Sequence, residues 1–183
     1  MPKIVDREAH SHALAQKAAE VFMEQGFGNV GMRDIAAALG LSKSALYHYF
    51  PSKQALFVAA SAAATQRSVA PFRPPEEREP SIASRVESIL ASVRTLDGDF
   101  KGEMTLLADY LRPLTQDQIR NDPAMIAANA TYLSAIEAIV GSDAAAPVLF
   151  ACYGFLLQRM FDGGVTPFED LANSVTRILS NSA

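Results

Sequence analysis

Between Lys43 and Tyr49 the chain reads Lys-Ser-Ala-Leu-Tyr-His-Tyr, a run that carries hydrogen-bonding groups at helical spacing. Lysine donates to guanine O6 and N7, and serine donates or accepts at a base edge. A tyrosine ring presses on a sugar or a thymine methyl while its hydroxyl reaches phosphate. This is the chemistry of reading a nucleic-acid duplex, in which phosphate contacts position and base contacts specify. Lys43 and Ser44 open the run, where a helix start reaches base edges; Tyr47 points outward, and His48 and Tyr49 follow. Other chemistries lack their groupings. No Ser-His-Asp set, metal motif or glycine-rich phosphate loop stands out, and the three histidines, His10, His12 and His48, lie within the first fifty residues. No enzymatic activity, cofactor or metal is therefore expected. His10 and His12, at i and i+2, fall on different sides of a helix.

Two short helices must position these groups. Residues 32–39 place Ile35, Ala36 and Leu39 on one face. Gly40 fits the positive-φ residue that closes a helix, with apolar Leu41 after it. Ser42 reads as the N-cap of the next helix, which turns Ala45, Leu46 and Tyr49/Phe50 inward. Pro51 stops that helix, because it has no N–H and pushes residue 50 out of the helical region. Two short helices across a glycine turn form a helix-turn-helix, whose second helix enters the major groove. Eight residues make it about 12 Å long, roughly the width of that groove.

The segment from Met32 to Lys53 resembles the DNA-binding signature of the tetracycline-repressor (TetR) family of bacterial regulators. The matching pieces are Gly26-Phe27, Arg33-Asp34-Ile35-Ala36, Gly40-Leu41-Ser42-Lys43, Leu46-Tyr47-His48-Tyr49-Phe50 and Ser52-Lys53-Gln54-Ala55-Leu56, within about the first 60 residues of 183. The resemblance implies that Tyr47 and Tyr49 contact DNA, that Lys53 contacts phosphate from the start of the following helix, and that Arg33 reaches a phosphate or a base. Tyr49 also has a register that lets it pack inward, and Arg33 could instead pair with Asp34 or a glutamate of the first helix. The chain departs from many relatives at Val30 and Gly31, where a Ser or Thr hydroxyl caps the helix and touches phosphate. That contact is expected to be missing, or made by backbone N–H alone.

For the rest of the chain the resemblance implies a homodimer built from the last two helices, packed as a four-helix bundle, with two recognition helices on a palindromic double-stranded operator. It also implies a pocket for a small amphipathic effector. Candidates for its lining are Met104, Leu107, Tyr110, Leu111, Ile126, Tyr132, Phe150, Tyr153 and Met160, apolar walls with a few tyrosine hydroxyls. The expected function is a ligand-inducible repressor that loses its operator through a population shift transmitted by the fourth helix. Two alternatives keep the same fold: an effector-independent architectural DNA-binding protein, and a partner- or ligand-binding module whose head no longer touches DNA.

Composition sets the frame. A chain of 183 residues with 49% apolar content has room for one or two small domains and a core. No stretch approaches 18 uninterrupted apolar residues and the N-terminus is charged, so neither a membrane span nor a secretory signal is expected. The single cysteine, Cys152, excludes an intramolecular disulfide framework. A cytoplasmic location is the simplest reading. The net charge of −4 is unevenly spread: residues 1–53 hold six Lys/Arg against five Asp/Glu, residues 54–183 ten against fifteen. Local charge sets the field that DNA feels. The expected division is a DNA-binding domain over 1–53 and an effector-binding and dimerisation domain over 54–183.

Apolar periodicity predicts an all-α chain of about nine helices. After a loose arm at 1–6 come helices over 7–25, 32–39, 43–50 and 52–69. A proline-rich loop follows at 70–80, then helices over 81–96, 102–111, 123–140 and 143–161. Gly163-Gly164 ends the eighth, and Thr166 caps a last helix that starts at Pro167. The 143–161 helix is apolar on more than one face, and Ala151, Gly154 and Gln158 form a small-residue stripe on it.

Overall fold

The computed structural model describes the backbone of residues 2–182 and the side chains of residues 7–182. Ten helices follow one another: α1 (Pro2–Gln25), α2 (Met32–Ala38), α3 (Lys43–Tyr49), α4 (Lys53–Val69), α5 (Ile82–Asp97), α6 (Phe100–Leu111), α7 (Gln116–Arg120), α8 (Pro123–Val140), α9 (Ser142–Asp162) and α10 (Phe168–Asn181). No strand occurs among the described residues, so the chain is all-α as its periodicity predicts.

Three local differences have physical reasons. The helix expected from residue 7 begins at Pro2, taking in residues expected to be a loose arm. Proline suits a first helical position, because its missing N–H has no intrahelical partner there and its φ is preset. The short α7 was not expected. Five residues are too few to show periodicity, but a capping box marks its start: Gln118 N–H donates to Thr115 Oγ1 at 3.3 Å, and Thr115 N–H to Gln118 Oε1 at 2.8 Å. Thr166 does not cap α10, whose N-cap is Pro167. Instead, Asp162 at the end of α9 gathers the turn. Its carboxylate accepts from the N–H groups of Gly164, Val165 and Thr166 at 3.0, 2.9 and 3.1 Å, and from the Thr166 hydroxyl.

The chain divides into two compact units. The first comprises Met1–Arg67 with Gly102–Ala128, the second Ser68–Lys101 with Asn129–Ala183. The division expected at residue 53 falls at the first residue of α4, inside the first unit.

The first unit is built around Leu14, Ala18, Phe22, Ile35, Leu46, Leu56 and Phe57, all buried. Four aromatic rings, Phe22, Phe27, Phe57 and Tyr110, join α1, the loop after it, α4 and α6. Phe27 lies edge-on to Phe57 at 5.0 Å and to Tyr110 at 5.2 Å, and Tyr110 stacks on Phe57 at 4.0 Å. Such pairs add to plain area burial. The loop runs close under α6: a Cβ on Gly26, where φ is +80°, would meet Asp109 Oδ2 at 2.9 Å. The positive φ is what calls for glycine there, and any Cβ would also displace the Asp109 carboxylate.

In the second unit α5, α9 and α10 pack together through Ile89, Val93, Val148, Leu149, Leu156, Leu171 and Val175. Arg159 of α9 closes one end. Its Nε and Nη2 donate to the two carboxylate oxygens of Asp97 at 2.9 and 2.7 Å, its Nη1 donates to Gly164 O at 2.8 Å, and its guanidinium lies 4.7 Å from the Phe168 ring centroid. The paired N–H groups match a carboxylate in one plane. α8 and α9 are each long and apolar enough to cross a bilayer by length and composition, which counting uninterrupted apolar runs passes over. α9 spends Val148, Leu149, Cys152, Phe155 and Leu156 on this unit's interior instead.

Candidate nucleic-acid interface

The turn between α2 and α3 follows from three residues, each acting within a few positions of itself. Gly40 takes φ +70° and returns its N–H to Ala37 O at 3.1 Å, and Leu41 N–H reaches Ala36 O at 2.8 Å. These bonds satisfy α2's last carbonyls. Ser42 caps α3, its Oγ accepting from Ala45 N–H at 3.1 Å. Phe50 is extended (φ −131°, ψ 109°) ahead of Pro51, so α3 stops at Tyr49. Leu46 and Phe50 are buried and anchor the helix.

The opposite edge of α3 faces outward. Lys43, Ser44, Tyr47 and His48 are all exposed, Tyr47 by 42% despite its large ring. Lys43 Nζ stands 5.7 Å from the Tyr47 ring centroid, and Ser44 Oγ is 3.1 Å from Ser42 Oγ. These four side chains are brought to one surface. Arg33 is exposed in the first turn of α2. The N-cap there, Gly31, has no hydroxyl, and its N–H already donates to Asp34 Oδ2 at 3.1 Å. One oxygen of the carboxylate beside Arg33 is therefore engaged by the cap.

Tyr49 takes the inward alternative of its register, and Lys53 points its ammonium at the chain itself. Tyr49 is half-buried, its ring 5.3 Å from His10 of α1 and 5.6 Å from His48. It packs the helix down rather than standing off it. Lys53 Nζ donates to Phe27 O at 2.6 Å and Val30 O at 2.9 Å and lies 4.4 Å from the Phe27 ring centroid. Two of its three donors are spent on the loop before α2. Arg7 had no expected role; its Nη2 donates to His48 O at 3.3 Å.

The nine effector candidates do not form one group. Tyr110 is 2% exposed and belongs to the first unit's core. Gln54 Nε2 donates to its hydroxyl at 3.1 Å, and the hydroxyl donates to Asp122 Oδ2 at 2.6 Å. The ring is thus held in the core by stacking and by two hydrogen bonds. Leu111 packs at the rim of the same core. Met104 and Leu107 are half-buried in that unit, where Ile126 is 56% exposed. Tyr132, Tyr153 and Met160 belong to the second unit and are half-buried, with the Tyr132 and Tyr153 rings 6.1 Å apart. Phe150, in the same unit, is 69% exposed and stands out from the surface.

Cys152 is buried, and burial pushes its thiol up to about 12. Reactivity belongs to the thiolate, so the native chain is expected to resist iodoacetamide at pH 8 and to be alkylated promptly once unfolded in guanidinium. Mass spectrometry of both samples checks this, and rapid modification of the native chain would contradict it. Among the described residues no group of three or more His, Cys, Asp or Glu is placed to hold a metal.

A short capped helix with an exposed polar edge, set on the core of an all-helical chain, defines a protein of the helix-turn-helix class. Residues 14–60 match the family model described as bacterial regulatory proteins, tetR family. The match lies within the helix-turn-helix head, so it is this part of the chain that is similar to the tetR family. It is 33% identical over 99 residues to the HTH-type transcriptional regulator UidR of Escherichia coli K12, a match covering 54% of this chain and 50% of that one. It is 28% identical over 120 residues to the nucleoid occlusion factor SlmA of Actinobacillus pleuropneumoniae serotype 5b, covering 66% and 59%. The chain thus spans about half the length of UidR. Over nearly its whole length it shares a fold with the multidrug binding protein EbrR, whose structure was solved complexed with proflavin. The TM-score is 0.64 at 20% identity, covering 90% of this chain and 96% of that one.

Proposed function

We propose that the chain is a DNA-binding transcriptional regulator and not an enzyme: a ligand-inducible repressor that binds a palindromic operator as a homodimer in the cytoplasm. The observation that carries the reading is the outward edge of α3, where Lys43, Ser44, Tyr47 and His48 stand exposed on a helix anchored by Leu46. Seven residues give about 10 Å of helix, a fit to the major groove. Arg33 joins them from α2. Tyr49 and Lys53 act by holding α3 and the loop before α2 in place. In this reading residues 1–53 carry the DNA contacts, and residues 54–183 carry the effector and dimer functions.

Dimerisation is supported by the outer face of α9. Phe150, Leu157 and Phe161 are exposed at i, i+7 and i+11, with exposed Gly154 between them. That apolar stripe suits a second copy of itself across a two-fold axis, with α10 completing a four-helix bundle. Tyr132, Tyr153 and Met160 are the residues we assign to an amphipathic effector, and the shared fold with a proflavin-bound protein supports that ligand class. The nine effector candidates fall in both units, with Ile126 and Phe150 exposed, which favours a second reading, a DNA-binding protein with no effector.

The test begins with a duplex selected from a random library by the full chain. Lys43→Ala with Tyr47→Ala is expected to weaken binding to it about 10- to 100-fold or more, at about 1–3 kcal/mol per lost base contact. Fluorescence anisotropy measures this, and unchanged affinity would remove the DNA-binding reading. Adding proflavin as an amphipathic probe is expected to lower wild-type affinity. Affinity unmoved by it and by a panel of similar cations would favour the effector-independent reading.

A further inference from the structure

The guanidinium of Arg7 sits at the end of the recognition helix opposite Lys43. α3 begins at Lys43 and ends at Tyr49, and Arg7 Nη2 donates to the carbonyl of His48, in its last turn. Lys43 and Arg7 thus mark the two ends of a helix of about 10 Å, close to the separation of the two backbones that border a major groove about 12 Å wide. Both residues are exposed. A second side chain of α1 holds the same end of the helix: the His10 ring packs at 5.3 Å against Tyr49. The first helix therefore braces α3 and brings a cation beside it.

We propose that Arg7 is a DNA-contacting and positioning residue, taking a phosphate on the far strand from Lys43 while it ties down the last turn of α3. The proposal rests on the DNA-binding reading above and extends the interface to α1. Each half of the role has a physical basis. An arginine donating to a terminal carbonyl supplies a partner that the helix lacks and a positive charge at its negative end. A planar guanidinium carries five donors, so it can bond a carbonyl and a phosphate together. Spacing along the chain gave no sign of this, since Arg7 and His48 are 41 positions apart.

The test measures affinity of the full-length chain for its selected duplex between 50 and 200 mM salt, in wild type, Arg7→Ala, Arg7→Gln and Arg7→Lys. A phosphate contact contributes about 0.9 to the slope of log K against log salt. Arg7→Ala is expected to lower affinity roughly ten-fold and to flatten the slope by about that amount per protomer. Arg7→Gln keeps a donor for the His48 carbonyl without the charge, and is expected to show the flattened slope with a smaller affinity loss. Arg7→Lys is expected to restore the slope. A wild-type slope in both Arg7→Ala and Arg7→Gln would overturn the phosphate contact. An Arg7→Ala chain with a shifted melting transition is judged by Arg7→Lys and Arg7→Gln alone. The two readings fail separately: Lys43→Ala with Tyr47→Ala leaving affinity unchanged removes the interface as a whole, whereas loss of binding there with no effect at Arg7 removes only this extension.

Discussion

Replacing Tyr110 with alanine is expected to destabilise the chain by about 3–5 kcal/mol, the range for removing a buried large aromatic ring. The ring stacks on Phe57 at 4.0 Å and meets Phe27 edge-on, so its removal opens a cavity at the junction of α4, α6 and the loop after α1. Tyr110→Phe separates the hydroxyl from the ring. It deprives the Asp122 carboxylate of its 2.6 Å donor and the Gln54 amide of an acceptor. An unpaired buried polar group costs about 1–3 kcal/mol. The other oxygen of Asp122, Oδ1, is already engaged: it caps α8, accepting from the N–H groups of Ala124 and Met125 at 2.9 and 3.1 Å. Guanidinium denaturation followed by circular dichroism gives both values, and a Tyr110→Phe chain as stable as wild type would show that the bonded triad contributes nothing.

The same site carries a pH signature. Burial, then the hydrogen bond to Asp122, pushes the Tyr110 phenol from 10 up to about 12. The folded pKa lies above the unfolded one, so the neutral hydroxyl's contribution is fully present below pH 10 and is lost as pH rises through 12. Tyr110→Phe has no such proton to lose. The stability gap between wild type and Tyr110→Phe is therefore expected to be larger at pH 9 than at pH 11.

What could be read along the chain and what could not differ in range. Gly40, Ser42 and Pro51 each act on backbone within four residues, so the two helices of the head, their turn and their ends were all legible. Leu46 is buried and its neighbour Tyr47 exposed, a difference that the helical period alone predicts. The destinations of long polar side chains were not legible. Lys53 has the position of a phosphate contact, but its ammonium meets carbonyls 26 and 23 positions earlier. Tyr110 reads as an amphipathic wall, yet its partner Gln54 lies 56 positions away. Apolar character says that a residue avoids water without saying against what. Phe150 and Tyr110 read alike in sequence, yet one stands 69% exposed and the other 2%.

That contrast makes the outer face of α9 the place for the other large effect. Phe150 and Phe161 are 69% and 75% exposed, so aspartate at both positions removes nothing from the core, and helical content and melting are expected to stay close to wild type. In a two-fold dimer each substitution appears twice across one axis. Four carboxylates would then replace four rings, each worth about 1.5–3 kcal/mol when fully buried, and would repel one another. Analytical ultracentrifugation is expected to show wild type at twice the chain mass and Phe150→Asp with Phe161→Asp at the monomer mass. Affinity for a single half-site should hardly change, because α3 is untouched. Affinity for the full palindrome should fall by about 10²–10⁴, the gain that tethering two binding units confers. A variant that stays dimeric would place the subunit contact elsewhere, and one that is monomeric yet binds the palindrome like wild type would mean that the two heads do not depend on a preformed dimer to act together.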